Sequence, residues 1–216
     1  MSDPTRLSDL TLDTLLDHLA SSDPVPGGGS AAALAGAMGA ALVGMVAELT
    51  IGRPEYAEHE GAIAGLRADA HARRDILRDL AEEDAAAYAS VVHARRMPKD
   101  SQPELEARAD ALRTAMVDAA RIPMRTAVVA AEVLELAERI APIGNRNAVS
   151  DAGVAAQLAA AALRGALLNV RINLPYLPAD EPLRLSAPDE ISRLEALASE
   201  REAAAMRAVD ARLVLA

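Results

Sequence analysis

Residues 24–50 read PVPGGGSAAALAGAMGAALVGMVAELT, in which three consecutive glycines precede a stretch with no charged residue before Glu48. A small residue recurs every four positions, on one side of a predicted helix: Ala32, Gly36, Ala40 and Gly44. Such a stripe of small residues lets a neighbouring helix approach closely. Because the helix is apolar almost all round, we expect it to be buried in the middle of a helical bundle or at a subunit interface.

Other interpretations of this stretch fit less well. GGGS lacks the Gly-Lys-Ser/Thr ending of a phosphate-binding P-loop, and the partial G-x-G-x-x-A match has no strand before it. Residues 31–47 sit at the lower length limit for a membrane span and are mostly Ala and Gly. The glycine turn itself is either a simple turn or a site where unpaired N–H groups at a helix start hold an anion.

The rest of the chain also has helical periodicity. Apolar residues recur at spacings of three and four, and no alternating β-branched or aromatic run predicts a strand. We therefore predict an all-α, single-domain bundle of long helices over residues 1–216, with the Ala/Gly-rich helix at its centre. Helices are predicted at 7–20, 30–50, 57–96, from 103 behind a cap at Ser101, at 150–173, and from the proline-rich connection 175–188 to about 213. Pro123 is expected to kink or divide the fourth helix.

Composition excludes several classes of function. A net charge of -10 without a basic block argues against nucleic-acid binding, and the absence of cysteine excludes disulfides, thiolate chemistry and cysteine zinc sites. The four histidines show no metal-ligand spacing, so we predict no metal. The N-terminus has no signal-peptide pattern, and we expect a cytoplasmic protein that is not in a membrane.

Polar residues at core positions are the strongest functional signal. Asp84 occupies an inner position of the third helix, where a carboxylate needs a partner or a cavity. Arg73 on the same stripe either pairs with Asp84 or extends its long side chain to solvent. Asn169 and Asn173 lie on one side of the fifth helix among apolar residues. Their amides predict either helix-to-helix hydrogen bonds or ligand contacts. Glu82 and Glu83 fall off the stripe and are expected to face solvent.

Four segments in order resemble one family: residues 24–50, EDAAAY at 83–88 with RMPK at 96–99, GNRNAVSDAGVAA at 144–156, and GALLNVRINL at 165–174. The sequence resembles the cyclodeaminase/cyclohydrolase family, which includes the C-terminal domain of formiminotransferase-cyclodeaminase. This resemblance implies an all-helical homodimer that acts on a one-carbon unit between N5 and N10 of tetrahydrofolate, a small-molecule substrate, without a metal or nucleotide cofactor.

The resemblance also implies roles for residues. Asp84 would donate and accept protons, and Asn169 and Asn173 would line the pterin side of the site. The loop that opens the fifth helix would contribute Asn147, Ser150 and Asp151. Positive potential for the glutamate tail would come from the N–H groups of the glycine turn or from arginines, namely Gly27, Gly28, Gly29 and Ser30, and Arg53, Arg146 and Arg171. Tyr88 is one candidate for stacking on the pterin.

Methenyltetrahydrofolate cyclohydrolase activity is the predicted function. The family motifs are equally compatible with formimidoyltetrahydrofolate cyclodeaminase, which releases ammonia from the same kind of substrate. A non-catalytic, folate-binding helical subunit that retains the pocket is the alternative of another class.

Overall fold

A computed structural model describes residues 6–213 of the 216-residue chain. It contains six α-helices: α1 (Leu12–Ala20), α2 (Gly28–Glu48), α3 (Glu60–Arg96), α4 (Gln102–Ile140), α5 (Val149–Asn173) and α6 (Pro182–Leu213). Short 3₁₀ turns occur at Leu7–Asp9, Pro54–His59, Arg146–Ala148 and Leu174–Tyr176. No strand occurs among the described residues, and the predicted all-α class is confirmed.

Helices α2 to α5 form the core of the bundle. Helix α2 packs on α3 and α5, and α4 closes the ring by packing on the same two helices. The start of α2 lies beside the end of α5, where Gly28 approaches Asn169, and the end of α2 lies beside the start of α5, where Asn145 binds Leu49. Helices α2 and α5 therefore run antiparallel, and α6 covers the outer side of α4 and α5.

Small residues set the close approach of α2 to its neighbours. A Cβ atom added at Gly36 would lie 3.1 Å from Leu77 of α3, and one at Gly39 would lie 3.0 Å from the backbone oxygen of Ala155 on α5. Gly36 belongs to the predicted small-residue stripe, whereas Gly39 lies outside it. Alanine also dominates the buried side of α5, so both helices of this pair present little more than backbone to each other.

The N-terminal region differs from the prediction of one helix over 7–20. A 3₁₀ turn precedes α1, because the backbone N–H groups of Leu7 and Ser8 donate to the carboxylate of Glu82 at 3.0 and 2.9 Å. The prediction that Glu82 simply faces solvent is therefore wrong. The leucines of α1 are not buried either, since Leu12 is 69% exposed and Leu16 is 53% exposed.

Helix boundaries follow the caps. Helix α4 starts behind Ser101 as predicted, with a capping box completed by Glu104. The N-cap of α2 is Gly27 rather than Ser30, so α2 begins earlier than predicted.

Helix α4 continues through Pro123 instead of dividing there. Proline has no N–H group, so the carbonyl of Ala119, four residues earlier, lacks its helix partner. The side-chain amide of Asn173 on α5 donates to that carbonyl at 2.8 Å. A hydrogen bond from the neighbouring helix thus compensates the one that Pro123 removes.

Two helical segments are long and apolar enough to cross a membrane by length and composition, Gly28–Glu48 and Arg146–Tyr176. Most of the apolar window of each is buried inside the bundle, 61% for the first and 56% for the second. This burial is typical of core helices, which pass the same test of composition.

Two glycine-to-alanine substitutions should have opposite effects on stability. In Gly39→Ala the new methyl group meets the backbone of α5, and we expect a loss of about 1–2 kcal/mol from overpacking. In Gly65→Ala, on the exposed side of α3, nothing lies within 4 Å of the added Cβ, and we expect a gain of about 0.5–1 kcal/mol. Urea denaturation of both variants measures these changes, and a stabilising Gly39→Ala would contradict the close packing of α2 on α5.

Candidate active site

The candidate site is a cavity of about 330 Å³ at the end of the bundle where α2 begins and α5 ends. Its walls are mainly apolar: Pro24, Val25, Ala87, Val91, Met116, Ala119 and Ile172. A few polar side chains enter it, namely Asp84, Tyr88, Arg95, Asn169, Asn173 and Tyr176, and residues 27–29 form one edge. An apolar cavity with a few convergent polar groups is typical of a small-molecule site.

Asp84 lies directly against the first turn of α2. A Cβ atom added at Gly29 would lie 2.2 Å from one carboxylate oxygen of Asp84 and 2.6 Å from the other. Real side-chain atoms do not approach this closely, so glycine at this position is what leaves room for the carboxylate. The carboxylate therefore lies at the positive, N-terminal end of the α2 dipole.

Ser30 forms a buried hydrogen bond to the carboxylate of Asp84. Its hydroxyl lies 3.0 Å from Oδ2 of Asp84 and 3.0 Å from the backbone oxygen of Ala81, and the residue is completely buried. Ser30 does not line the cavity, unlike the three glycines before it. The structure thus places Ser30 in contact with Asp84 rather than at the cavity surface.

Burial raises the pKa of Asp84 above its ordinary value of 3.8, because a desolvated carboxylate is disfavoured relative to the neutral acid. Hydrogen bonds from the hydroxyl and the backbone N–H of Ser30 oppose this shift, since they stabilise the ionised form. Desolvation is the largest of these effects. A carboxyl group with a raised pKa and a cavity in front of it is suited to both accepting and donating a proton.

The two asparagines of the cavity use their amide nitrogens in hydrogen bonds to backbone carbonyls. The Nδ2 group of Asn169 donates to the carbonyl of Gly165 at 2.9 Å. The Nδ2 group of Asn173 donates to the carbonyls of Ala119 and Asn169 at 2.8 and 2.9 Å. No residue among 6–213 donates to either Oδ1 atom, although both residues line the cavity. The site therefore presents two free amide oxygens, which suit a ligand with N–H donors.

The rim of the cavity contains two residues, Tyr176 and Arg95, that the sequence interpretation missed. Tyr176, which is 64% exposed, faces the cavity together with Tyr88. Arg95 is the cationic residue among those that line it, and its guanidinium makes no ion pair within the described part of the chain. Residues 84, 88, 91 and 95 follow helical spacing along one side of α3, which is the signal that could have identified Arg95.

Other predicted residues lie far from this cavity. Ser150 and Asp151 lie in the first turn of α5, about 29 Å along the helix from Asn169, and Asn147 lies in the 3₁₀ turn just before that helix. Within one chain the structure does not bring these three residues to the cavity. The loop has a structural contact there instead, because Asn145 is buried and bonds to Thr50 and Leu49 at the end of α2.

The predicted arginines are occupied elsewhere. Arg171 pairs with Glu195 of α6 at 2.8 Å, and Arg53 pairs with Glu55 at 3.8 Å. The side chain of Arg146 donates to the carbonyl of Arg212. None of the three arginines lines the cavity.

Of the two alternatives for Arg73, the pairing with Asp84 is wrong, since Arg73 pairs with Glu132 on α4 and its side chain is partly exposed. Glu83 pairs with Arg125 of α4 rather than only facing solvent. No group of three or more His, Cys, Asp or Glu side chains is arranged to hold a metal ion in residues 6–213.

Comparisons with known proteins identify the family of this chain. The family model described as formiminotransferase-cyclodeaminase matches residues 11–193. A methenyltetrahydrofolate cyclohydrolase from Methylorubrum extorquens is 43% identical over 88% of this chain and 89% of its own length. A formimidoyltransferase-cyclodeaminase from Mus musculus is 31% identical over 95% of this chain, which spans only 38% of that longer protein.

Among solved structures, a formiminotetrahydrofolate cyclodeaminase from Thermotoga maritima superposes with a TM-score of 0.85 at 28% identity. The match covers 96% of this chain and all of the other. The family model and the 43% identical relative show that the chain belongs to the cyclodeaminase/cyclohydrolase family.

Proposed function

We propose that this protein is a methenyltetrahydrofolate cyclohydrolase, which adds water to 5,10-methenyltetrahydrofolate and yields 10-formyltetrahydrofolate. The observation that carries the proposal is Asp84, a carboxyl group with a raised pKa that is fixed at the edge of a mainly apolar cavity. The bacterial relative with the same activity in its name is 43% identical over nearly its whole length, which supports this choice.

The first step is addition of water to the bridging carbon. In the methenyl substrate this carbon belongs to an amidinium cation shared by N5 and N10, which the ionised Asp84 stabilises electrostatically. Asp84 then accepts a proton from the attacking water as the C–O bond forms. The product of this step is a neutral tetrahedral adduct, and Asp84 is left protonated.

The second step opens the ring. Asp84 returns its proton to N5 while the bond between N5 and the former bridging carbon breaks, and the hydroxyl of the adduct becomes the formyl carbonyl as its proton leaves to solvent. The whole reaction consumes one water and releases one proton. A single carboxyl group therefore acts as base and then as acid, a cycle that suits a pKa above the ordinary aspartate value.

Asn169 and Asn173 orient the substrate in this proposal. Their free Oδ1 atoms are acceptors, and the reduced pterin presents its amino group and ring N–H groups as donors. Tyr88 and Tyr176, two of the three tyrosines of the chain, supply aromatic surface at the rim for the rings of the substrate. No metal or nucleotide is needed, because the reaction is a hydration with proton transfer. We propose that the protein acts in the cytoplasm.

In this proposal, the glutamate tail of the bound substrate extends out of the cavity beside Arg95. Arg95 lies three helical turns from Asp84 on the same side of α3, about 16 Å away along the axis. Its exposed guanidinium has no carboxylate partner among residues 6–213 and is available for the tail. Arg53, Arg146 and Arg171, the arginines chosen from the sequence, lie outside the cavity.

Cyclodeamination is the second candidate, and the fold of the Thermotoga maritima cyclodeaminase favours it. In that reaction the same carboxyl group would assist the loss of ammonia from the formimidoyl group instead of the addition of water. A folate-binding subunit without turnover would retain the cavity but use Asp84 only as a binding group.

We also propose that the protein is a homodimer that pairs through an apolar surface formed by Leu12, Leu16 and Leu19 of α1 and Met38 of α2. These side chains are 36–69% exposed and surround a cavity of about 490 Å³ with almost no polar surface. A second copy would cover this surface without burying an unpaired charge. An anionic membrane is a poorer partner for a chain with a net charge of -10.

Asp84→Asn should retain the fold and lose most turnover, by at least about 100-fold, since the amide can neither accept nor return the proton. Loss of the near-ultraviolet absorbance of the methenyl substrate measures the rate, and circular dichroism checks the fold. Wild-type rates in this variant would contradict the assignment. If the wild-type protein releases ammonia from the formimidoyl substrate without hydrolysing the methenyl substrate, it is a cyclodeaminase. If it binds folate without turning over either substrate, it is a non-catalytic folate-binding subunit.

Arg95→Gln should raise KM for a polyglutamylated substrate about tenfold and leave kcat nearly unchanged, because it removes one charge-assisted contact to the tail. Arg171→Gln is the matched control, since it removes an exposed arginine that already pairs with Glu195. An equal effect of the two substitutions would show that Arg95 has no special contact with the tail.

Met38→Glu should convert the dimer to a monomer, because it places a charge in the apolar surface. Leu185→Glu, at an exposed position of α6, is the control and should remain dimeric. Sedimentation equilibrium gives the mass of each variant. A monomeric wild-type protein contradicts the proposal, and binding of that monomer to anionic vesicles would assign the surface to a membrane.

A further inference from the structure

Ser30 has a hydrogen-bonding arrangement that can accommodate both protonation states of Asp84. Its hydroxyl is equidistant, at 3.0 Å, from Oδ2 of Asp84 and from the carbonyl oxygen of Ala81. A hydroxyl has one proton to donate, and a carbonyl oxygen can only accept. Ser30 is completely buried, so no substrate group reaches this hydroxyl.

The two states of Asp84 use the hydroxyl in different ways. When the carboxyl is ionised, Ser30 donates its proton to Oδ2, which is the stronger, charge-assisted acceptor. When the carboxyl is protonated, Oδ2–H donates to Ser30, and Ser30 rotates its own proton to the carbonyl of Ala81. Each state of the acid therefore has a buried partner without any movement of a heavy atom.

We infer that Ser30 is a positioning residue that stabilises Asp84 in both protonation states, so that the same carboxyl group can act as base and then as acid. This inference rests on the proposed function, in which Asp84 passes through both states in every turnover. It gives Ser30 a role behind the carboxyl group, distinct from contact with the substrate.

Within residues 6–213, Ser30 is the only hydrogen-bond partner of the Asp84 carboxyl group. The titratable groups that line the same cavity are Tyr88 and Arg95 on α3 and Tyr176 after α5. The first turn of α2 contains no charged residue. From α4 and α5 the cavity receives no titratable side chain, and neighbouring Glu83 is paired with Arg125.

The test is the pH dependence of kcat/KM for methenyl hydrolysis in Ser30→Ala, because its acidic limb reports the free enzyme's base. Ser30 stabilises the ionised carboxylate more than the neutral acid, because the bond to the ionised form is charge-assisted, so its removal should move this limb to higher pH. At pH values on the acidic limb we expect kcat/KM to fall about tenfold, which corresponds to the loss of one hydrogen bond to a charged group. On the pH-independent plateau we expect a much smaller loss. Ser30→Thr, which retains the hydroxyl, should keep the wild-type limb.

Thr126→Val is the control for the loss of a buried hydroxyl, since Thr126 bonds only to Ile122 of its own helix, and its limb should not move. If Ser30→Ala does not fold, Ser30→Cys, with a weaker donor, should move the limb in the same direction. An unmoved limb in the folded alanine or cysteine variant overturns the inference, as does a loss that is uniform at all pH values. Absence of turnover in the wild-type protein is a different result and overturns the proposed function itself.

Discussion

The contact between the carboxylate of Asp84 and the first turn of α2 is the interaction on which the site depends. It requires a glycine at position 29, because any side chain there would occupy the space of the carboxylate. It also requires the buried hydroxyl of Ser30 behind it. The N-terminal end of the α2 dipole favours the ionised acid, whereas burial favours the neutral acid, and this opposition leaves both states within reach.

Close helix packing elsewhere in the bundle makes this contact possible. Glycine and alanine on α2 let α3 and α5 approach until Leu77 and the backbone at Ala155 nearly touch the α2 backbone. The packing of α5 on α4 brings Asn173 to the carbonyl of Ala119, which Pro123 leaves without a helix partner. That bond fixes the amide of Asn173, so its oxygen remains available to a ligand. The small residues thus serve the site as well as the core.

Much of this could be predicted from the sequence, because helical periodicity, the cap at Ser101 and the position of Asp84 on an apolar stripe are local signals. The exposure of the α1 leucines could not be predicted, because a leucine stripe has the same sequence pattern whether it packs on the core or on another molecule. The distance of Asn147 from the cavity could not be predicted either, because the sequence does not show which end of α5 meets the start of α2. Arg95 was overlooked although its spacing from Asp84 is helical, since exposed arginines are common on any helix.

In the proposed mechanism, Asp84 faces the one-carbon unit of a bound folate. A crystal structure of Asp84→Asn with the methenyl substrate trapped would show this directly. We expect the bridging carbon within about 4 Å of the residue 84 side chain, allowing for one water between them. We also expect the pterin at Asn169 and Asn173 and the tail beside Arg95. A folate bound in the groove between α3 and α4 near His93, or with its tail at Arg171, would contradict this role of Asp84 and Arg95.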